Sequence, residues 1–577
     1  MEVKQRTVDL SRAQFDVAMP PLLQRIYAAR GAFCSQDLPQ SLNELLPPTQ
    51  KGLDAAVAVL QEAVTQGQRI LVVGDFDVDG ATSSALAVLA LRAMGATWVD
   101  FLVPNRFDFG YGLTPEIVAV AQSYAPDVLV TVDNGISSIA GAEAVRAAGM
   151  KLVITDHHLP AQTLPVADAI VNPNQHQCDF PSKNLAGVGV IFYVMSRLRT
   201  VLQDAGWFES LGRPVPNMAS YLDLVALGTV ADVVPLDSNN RLLVKQGLMR
   251  IRAGRCQPGI TALLNVAGRN PASVQASDMG FAVGPRLNAA GRLDDMSLGI
   301  QCLLSPSEDE AMALAQQLDD FNRDRRAIES AMHKEAEDAL YQLALGEQAP
   351  WGISLFHDQW HQGVIGILAS RIKERYHRPT ILFADAGDGQ LKGSGRSIKG
   401  LHLRDALDRV AVTHPGLIVK FGGHAMAAGL SLAAENFEAF QSAFDIICRQ
   451  ILTEADLQAV IYTDGELSTG DFTLERAQQL ADAGPWGQQF PEPAFEGQFV
   501  IRQQRLVGGK HLKLSLSPIA QQELALDAIA FNVDLDLWPM PNVHRLFAVY
   551  QLDINEFRGQ RSVQLLISHL EPAKAAV

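Results

Sequence analysis

Three short apolar segments that each run into an aspartate constrain the fold of this chain more than any other feature. RILVVG leads to Asp75, VLVTV to Asp133 and LVIT to Asp156, and helical segments separate them. Strands that alternate with helices predict a parallel, doubly wound sheet, an α/β fold. Ligands of such sheets bind at the carboxyl ends of the strands. The three aspartates are therefore expected to lie close together at that edge.

The pattern changes several times along the 577 residues, which are too many for one hydrophobic core. A long, charged, amphipathic helix follows the first α/β region and precedes a second one. The β-rich end, with five or so strands and few helices, predicts a small closed barrel of the OB type. The predicted domains are a lead-in (1–50), the first α/β domain (51–305), a connector helix (306–348), a second α/β domain (349–452) and the barrel (453–577).

The net charge of −16 argues against a nucleic-acid partner, but it describes the whole surface and not a local patch. Residues 351–430 hold ten Lys and Arg against six Asp and Glu, a local excess of four positive charges, together with six of the thirteen histidines. Carboxylates that bind a cation also cease to repel phosphate. The acidic total therefore weakens a nucleic-acid interpretation without excluding it.

The cysteines and the apolar segments predict the compartment. The five cysteines are scattered and form no C-x-x-C pair, which favours reduced thiols over disulfides or a zinc site. The start of the chain has no apolar core of the kind a signal peptide needs. Apolar runs such as ALAVLALRAMGA are interrupted before 18 residues, too early for a transmembrane helix. These observations predict a soluble cytoplasmic protein with no membrane partner.

Asp75, Asp77 and Asp79 occupy alternate positions directly after the first strand. Carboxylates at this spacing in a tight loop can point into one pocket, as a hard divalent cation requires. A calcium EF-hand is one alternative, but its twelfth position should be Glu and is Leu86 here, and a strand does not fit a helix–loop–helix. An aspartyl phosphatase loop and a plain polar turn stay open for this motif taken alone.

The pair His157-His158 follows Asp156 at the end of a strand. Adjacent histidines point in different directions, so they could reach two ions, or one ion and a substrate phosphate. Such a pair is usually part of a surface loop, but its register with two other strand-end aspartates favours a metal site. Neither the EF-hand nor the aspartyl phosphatase explains it.

A fourth carboxylate, Asp232 in GTVADVVPL, follows the apolar run DLVAL and is expected at the end of another strand. Asp223 is an alternative for this role, less favoured because it begins the same apolar run.

Oxygen and imidazole ligands without a thiolate favour Mn²⁺ or Mg²⁺ over structural zinc. Two such ions about 4 Å apart can bridge a phosphate, activate a water molecule and stabilise the leaving oxygen. The predicted chemistry is metal-assisted hydrolysis of a phosphoester without a Ser or Cys nucleophile.

GDFDVDG, TVDNG, TDHH and GTVADVVPL, in this order, resemble the four signature motifs of the DHH phosphoesterase family. GPRLNAAGRLDD, HQGVIGILASRIKE, GSGRS and FGGHAMAAGLS are similar to its single-strand-specific exonucleases, and the resemblance covers nearly the whole chain. It implies a DHH domain, a DHH-associated domain and two-metal, 5′→3′ hydrolysis of single-stranded DNA in recombination and repair, including mismatch repair. The resemblance also implies a monomer that works with single-stranded DNA-binding protein and a helicase. The implied metal ligands are Asp75, Asp77, Asp133, His157 and Asp232, with His158 as a further ligand or a phosphate contact. One departure is Val73, where many relatives have a histidine; one ion therefore has fewer protein ligands here unless Asp79 compensates.

Further residues are candidates for holding DNA or phosphate, and each has a structural alternative. Asn288 and Arg292 lie among glycines, which allows close approach to a phosphodiester, but a loop with a salt bridge would look the same. The family resemblance suggests Ser394 and Arg396 for a terminal phosphate, His424 in a glycine-rich turn before a helix, and His361 and Arg371 ten apart on one helix. The barrel offers Lys510, His511, Lys513, Phe557, Arg558 and Arg561, basic and aromatic residues that suit a single strand or are plain surface decoration.

Two other functions remain compatible with these motifs. A small-molecule DHH enzyme, such as a pyrophosphatase, nano-RNase or cyclic-dinucleotide phosphodiesterase, shares the metal chemistry but needs no additional barrel. A DNA-binding scaffold with an inactive site is the other, and the intact acidic set argues against it.

Overall fold

The computed structural model describes residues 1–105, 112–344, 350–557 and 559–573. These residues form two compact units. One comprises residues 1–3 and 320–461, and the other comprises residues 4–319 and 462–577. The second unit therefore contains both the first α/β region and the β-rich end of the chain.

The larger unit is built around a parallel sheet. Its strands follow the order β3-β2-β4-β5-β6, and Gly74 at the end of β2 is paired with Val132 at the end of β4. The predicted parallel α/β sheet is confirmed. The chain to the end of the sheet contains β1 (Glu2–Gln5), α1 (Pro21–Ala28), α2 (Leu53–Thr65), β2 (Arg69–Gly74), α3 (Val78–Ala93), β3 (Trp98–Leu102), α4 (Pro115–Gln122), β4 (Val128–Val132), α5 (Ile139–Ala147), β5 (Lys151–Thr155) and β6 (Ala169–Val171).

Helices follow the sheet and cover it. They are α6 (Gly187–Asp204), α7 (Trp207–Ser210), α8 (Leu222–Ala231), α9 (Ser238–Arg252), α10 (Pro258–Val266), the single turn α11 (Ala276–Asp278), a π-helical turn (Met279–Val283), α12 (Gly284–Leu293) and α13 (Ser297–Leu304). Helices α3, α6 and α8 pack on one another, and α3 and α8 are buried on almost every face.

The expectation that Asp232 ends a strand is wrong, because the apolar run before it forms α8 and Asp232 follows the last residue of that helix. A helix that is apolar all round shows no 3.6-residue periodicity, so its sequence resembles a buried strand. The packing between α3, α6 and α9 explains why α8 is apolar on every side.

A single helix, α14 (Glu308–Ala344), occupies most of the segment predicted as a connector. The smaller unit then contains β7 (Ile353–Phe356), α15 (Ile365–Tyr376), β8 (Thr380–Gly387), β9 (Gln390–Arg396), α16 (Leu403–Thr413), β10 (Lys420–Gly423), β11 (Ala427–Ala433) and α17 (Phe437–Ile451). Its mixed sheet has the order β10-β11-β9-β8-β7.

Two expectations about this unit are wrong. FGGHAMAAGL does not begin a helix; it forms the antiparallel pair β10–β11, with His424 in the turn. Alternating small residues suit a strand next to its partners, and composition alone did not distinguish this from a helix. His361 does not share a helix with Arg371, because α15 begins only at Ile365 and His361 lies in the turn before it.

The β-rich end forms a closed barrel in the strand order β13-β14-β15-β17-β16, which confirms the OB-type prediction. Its elements are β12 (Val460–Thr463), α18 (Leu474–Asp482), β13 (Phe495–Val507), β14 (His511–Pro518), β15 (Leu526–Ala530), β16 (Arg545–Phe557) and β17 (Gln560–Pro572). Phe495, Phe499 and Tyr550 fill the barrel core. None of the helices in the described ranges is long and apolar enough to cross a bilayer.

Candidate metal centre

The first aspartate loop turns tightly between β2 and α3. Asp77 is the N-cap of α3, and its Oδ1 accepts hydrogen bonds from the N–H groups of Asp79 at 3.0 Å and Gly80 at 3.1 Å. A Cβ on Gly80 would lie 2.4 Å from the carbonyl oxygen of Asp75, so only glycine fits. The cap and the glycine together hold the carboxylates of Asp75 and Asp77 at the end of the sheet.

Asp133 follows β4 in a left-handed backbone conformation, with φ of 59°. Its neighbour Asn134 is buried and donates from Nδ2 to the carbonyl oxygens of Val73 at 3.0 Å and Val132 at 2.9 Å. This amide ties the ends of β2 and β4 together. Gly187, at the start of α6, approaches so closely that a Cβ there would lie 2.6 Å from that of Asp133. Non-glycine residues keep such a backbone only where the surroundings impose it.

The histidine pair is held by Asp156 at the end of β5. Its Oδ1 lies 2.7 Å from His158 Nδ1 and accepts from the N–H groups of both histidines, while its Oδ2 accepts from Ile136 N–H at 2.9 Å. Asp156 is almost wholly buried, and both of its oxygens are used by these groups. Its role is therefore to orient His158.

His157 lies at the centre of the carboxylates. Its Nε2 is 3.1 Å from Asp133 Oδ1, 3.5 Å from Asp232 Oδ2 and 3.9 Å from Asp79 Oδ2. Three overlapping groups each bring their ligand atoms within 4.8 Å of one another: Asp75, Asp77 and Asp133; Asp133, His157 and His158; and Asp79, His157 and Asp232. The structure thus brings together the six side chains that the sequence proposes as catalytic, although Asp232 arrives from a helix and not from a strand.

Asp79 also reaches this cluster, but both of its oxygens accept backbone hydrogen bonds. Gly187 N–H donates to Oδ2 at 2.5 Å and Val188 N–H donates to Oδ1 at 2.9 Å. Asp79 therefore fixes the start of α6 against α3 while one of its oxygens stays near His157. Val73 is fully buried within β2.

The electrostatics of the cluster show what it lacks. Burial, followed by the charges of the neighbouring aspartates, raises the pKa of Asp133 and of Asp232 well above the ordinary value. Burial and the charge of Asp77 raise the pKa of Asp79 to about 7. Carboxylates this close repel one another unless a cation lies between them. Hard oxygen donors with one or two imidazoles are ligands that Mn²⁺ and Mg²⁺ accept, so these residues fit such ions.

His158 and Asp156 shift one another in opposite directions. Burial alone would lower the pKa of His158, but the hydrogen bond and the charge of Asp156, with those of Asp75 and Asp77, raise it to about 9. Burial alone would raise the pKa of Asp156, but the hydrogen bond and charge of His158 keep it below the ordinary value. The pair therefore favours a protonated imidazole next to the carboxylate cluster.

The alternative residue Asp223 lies at the other end of α8 from Asp232. Its carboxylate accepts from the N–H groups of Leu224 at 2.9 Å and Gln257 at 2.6 Å and is absent from the clusters found among the described residues. Burial raises its pKa to about 6. Its contacts join the start of α8 to the start of α10.

Helix α12 packs against the first aspartate loop. A Cβ on Gly291 would lie 2.1 Å from the carbonyl oxygen of Phe76, so the helix backbone touches the segment between Asp75 and Asp77. Asn288 and Arg292 are half-buried and lie one turn apart on this helix. Glycine in the motif thus serves close packing of helix on loop, and Arg292 neighbours that contact.

In the smaller unit, Ser394 and Arg396 meet the start of α15. A Cβ on Gly366 would lie 2.8 Å from Ser394 Oγ and 3.1 Å from Arg396 Nη2, and Arg396 Nη1 donates to Ser394 Oγ at 3.3 Å. Burial lowers the pKa of Arg396. His361 lies in the turn leading into the same helix, and the exposed His424 lies in the β10–β11 turn, next to the residues paired with β9.

Arg371 differs from these residues. It forms an ion pair with Glu329 at 3.0 Å, and Glu329 also contacts Arg325. This bridge between α14 and α15 gives Arg371 a structural role within the unit.

In the barrel, Lys510 is exposed in the β13–β14 turn, and Lys513 on β14 is 3.3 Å from Asp527. His511 packs edge-to-face on the exposed ring of Phe531, with centroids 5.0 Å apart. Arg561 donates to Gln478 at 2.6 Å. Arg558 and the side chain of Phe557 lie outside the described residues.

Sequence reasoning assigned no role to Asn134, Gly187 or the orienting function of Asp156. The first two carry a readable signal: a buried amide after a strand needs partners, and AGVGV begins α6 with glycines where a helix start must approach a carboxylate. Phe531 has no such signal, since one aromatic residue in a loop is unremarkable.

Comparison with known proteins connects these features. The DHH family N-terminal domain matches residues 69–229, the DHHA1 domain 348–450 and the RecJ OB domain 463–569. The chain is 55% identical to the single-stranded-DNA-specific exonuclease RecJ of Escherichia coli K12 over 99% of each chain. It belongs to the RecJ family. Two solved relatives are RecJ of Thermus thermophilus with Mn²⁺ (TM-score 0.77, 30% identity, 98% of this chain and 80% of that one) and with Mg²⁺ (TM-score 0.73, 29% identity, 100% and 78%). The donor set described above fits the two ions that these RecJ structures contain.

Proposed function

We propose that this chain is a Mn²⁺- or Mg²⁺-dependent exonuclease that hydrolyses single-stranded DNA from its 5′ end in recombination and repair. The observation that carries the proposal is the convergence of carboxylates and imidazoles at the strand ends, in a member of the RecJ family. The proposed metal ligands are Asp75, Asp77, Asp133, His157 and Asp232.

Two bound divalent ions supply Lewis acidity, which lowers the pKa of water and offsets negative charge on the phosphate. The protein's own contribution is placement. Asn134 joins the strand ends that carry Asp75 and Asp133, and Asp79 fixes α6 behind Asp133. Because these contacts are buried, the ligand geometry exists before the substrate binds.

His158 acts either as an additional ligand or as a contact to the scissile phosphate. Asp156 accepts from Nδ1 at 2.7 Å, which leaves Nε2 as the second donor of a protonated ring. A charged donor next to a phosphate oxygen stabilises the charge that develops there. Asp156 is thus a positioning residue for His158.

The groups that hold DNA are proposed to act at three places. Asn288 and Arg292 contact the phosphate next to the first aspartate loop, where α12 touches Phe76. Ser394 and Arg396, with His361 and His424, hold the terminal phosphate; a buried guanidinium with small donors suits this ligand. Lys510, with His511 and Phe531, and Lys513 offer charge and stacking to the rest of the strand.

The finer biological setting is also a proposal. All five cysteines, which fall within the described ranges, are free thiols, as suits a reducing cytoplasm. The family resemblance suggests a monomer that acts with single-stranded DNA-binding protein and a helicase. The domain limits 51–305, 349–452 and 453–577 stay predictions, next to the family matches over 69–229, 348–450 and 463–569.

The test supplies single-stranded and blunt duplex DNA, each labelled at either end, to the purified protein with Mn²⁺ or Mg²⁺. Release of mononucleotides from the 5′ end of the single strand alone supports the proposal. The Asp133→Asn variant serves as the inactive control. Equal cleavage of duplex and single strand would refute strand specificity, and turnover of pyrophosphate or dinucleotides without cleavage of long DNA would identify a small-molecule enzyme instead.

A further inference from the structure

The segment that follows Asp232 holds an unfavourable backbone conformation. Val233 has φ of 62°, in the left-handed region, and its side chain is 61% exposed. A helix commonly ends in this conformation, but with glycine at the position, since a β-branched side chain is strained there. Strain of this kind persists only where surrounding contacts impose it. The residues after Val233 must therefore be held firmly.

Those contacts come from two directions. On the catalytic side, Asn240 Nδ2 donates to Pro235 O at 3.0 Å, and Ser182 Oγ donates to Asp237 Oδ2 at 2.6 Å. On the barrel side, Leu236 N–H donates to Gln488 O at 2.8 Å. Leu236 is therefore the point where the segment behind Asp232 meets the chain that leads into the barrel.

That lead segment, Gly487–Phe490, is itself rigid. Gly487 and Phe490 exchange backbone hydrogen bonds at 2.9 and 3.1 Å, and the rings of Trp486 and Phe490 stack with centroids 5.3 Å apart. A Cβ on Gly487 would lie 2.7 Å from Leu236 Cδ1, so no larger residue fits without displacing Leu236.

Arg241 closes the contact from the other side. Its guanidinium carbon lies 4.0 Å from the centre of the Phe490 ring, and Nη1 donates to Leu236 O at 2.9 Å. Both backbone polar groups of Leu236 are thus used, one by the barrel's lead segment and one by Arg241. These residues form part of the wall of a cavity of about 1160 Å³ that extends from Val233 to the barrel strand β16.

We propose that Leu236 is a positioning residue for the metal ligand Asp232, held by the Gly487–Phe490 segment. The segment fixes Leu236, Leu236 fixes the short chain back to Val233, and the strained turn at Val233 sets the direction of the Asp232 carboxylate. The attachment of the barrel to the catalytic part of the same unit thereby determines one ligand of the metal centre. This inference rests on the proposed metal-dependent function.

The test measures binding of Mn²⁺ alone, without DNA, by the electron paramagnetic resonance of free and bound ion. The variants are Leu236→Ala, which removes the packing on Gly487, and Gly487→Ala, which pushes Leu236 from its place. Leu236→Met is the conservative rescue. The matched control is Leu480→Ala, because Leu480 is equally buried but packs in the barrel core.

Leu236→Ala and Gly487→Ala are expected to raise the Kd for Mn²⁺ about tenfold, the usual cost of losing a group that orients a ligand. Leu236→Met is expected to restore binding, and Leu480→Ala to lower Tm with an unchanged Kd. If Leu236→Ala does not fold, Gly487→Ala decides the question. Unchanged Mn²⁺ binding in the folded variants, or an equal loss in Leu480→Ala, overturns the inference. Absence of Mn²⁺ binding by the unaltered protein would instead overturn the proposed function.

Discussion

The Nε2 atom of His157 lies 3.1 Å from the Oδ1 atom of Asp133, although the two residues end different strands of the sheet. Asp133 belongs to two of the clustered ligand groups and His157 to two, so this pair joins all three. A change at either residue should therefore disturb the whole centre and not one ion alone.

Replacing Asp133 with Asn should have opposite effects on stability and on activity. The raised pKa of Asp133 means that its ionised form is costly in the metal-free fold, so Asn should raise the Tm of the protein in EDTA at pH 8. The same change should lower nuclease activity by at least about 100-fold, since even residues that only orient metal ligands contribute up to about that much. Calorimetry with and without Mn²⁺ measures the stability change, and single-strand hydrolysis measures the activity. A lower Tm in EDTA would contradict the electrostatic explanation.

The metal-free protein should become less stable as pH rises from 6 to 8. Groups whose pKa is raised on folding stabilise the protein below their unfolded pKa, and that contribution is lost as pH rises through the folded value, about 7 for Asp79. Mn²⁺ binds the deprotonated carboxylates, so the increase in Tm that it causes should grow over the same interval. Thermal scans in EDTA and in Mn²⁺ at several pH values check this. A metal-induced shift that is constant from pH 6 to 8 would contradict it.

Asp156→Asn should reduce turnover more than it reduces Mn²⁺ binding. The amide cannot hold a protonated His158 through a charged hydrogen bond, so the pKa of His158, now about 9, should fall. We expect kcat to drop about 10- to 100-fold, as for other residues that orient a functional imidazole. The matched control is Asp127→Asn, whose carboxylate accepts from Arg69 N–H at 2.7 Å at the opposite edge of the sheet. Equal losses in both variants would indicate a general effect on the sheet.

Arg396→Ala should abolish any preference for a 5′-phosphorylated end. Hydrogen bonds to charged groups contribute about 1.5–3 kcal/mol, which corresponds to a rise in KM of about 10- to 100-fold for phosphorylated strands and little change for strands with a 5′-hydroxyl. Arg409→Ala, an exposed cation on α16 of the same unit, is the control. If both substrates lose equally, Arg396 does not read the terminal phosphate.

The lead-in segment should contribute strongly to stability through Arg30. Its guanidinium forms two hydrogen bonds of 2.9 Å with Asp464, and both side chains are 1% exposed. Arg30→Ala leaves a buried carboxylate without this partner and should cost about 3–5 kcal/mol. Denaturant unfolding measures the cost, and Arg12→Ala is a control at an exposed site. A change below about 1 kcal/mol would show that Arg6, which also contacts Asp464, compensates.

The strand-end aspartates could be predicted because strand periodicity and the topology rule of parallel sheets fix where Asp75, Asp133 and Asp156 must lie. Asp232 could be chosen as a ligand, but its helix could not be recognised, because α8 is buried on every side and its sequence lacks an amphipathic period. The division of labour between Asp156 and its neighbours was also beyond the sequence. Ligand and positioning carboxylates have the same chemistry, and only the hydrogen bonds of Asp156 to His158 and Ile136 distinguish them.

The candidate phosphate contacts show the same limit at longer range. Ser394 and Arg396 could be paired from their spacing on one strand, but their meeting with Gly366 depends on how α15 packs on the sheet. Arg371 shows the reverse, since its charge suggested DNA and its partner is Glu329 on α14.

The strands β13 to β17 close on themselves, so each is bonded on both sides and the barrel, as far as the chain is described, presents no free edge. Neither a peptide nor another copy can extend this sheet by adding a strand. Whatever the barrel binds must therefore be recognised by outward side chains and by the turns between strands. Such positions can change one at a time without disturbing the framework, so affinity for the bound strand can be adjusted by substitution while the catalytic half is left unchanged.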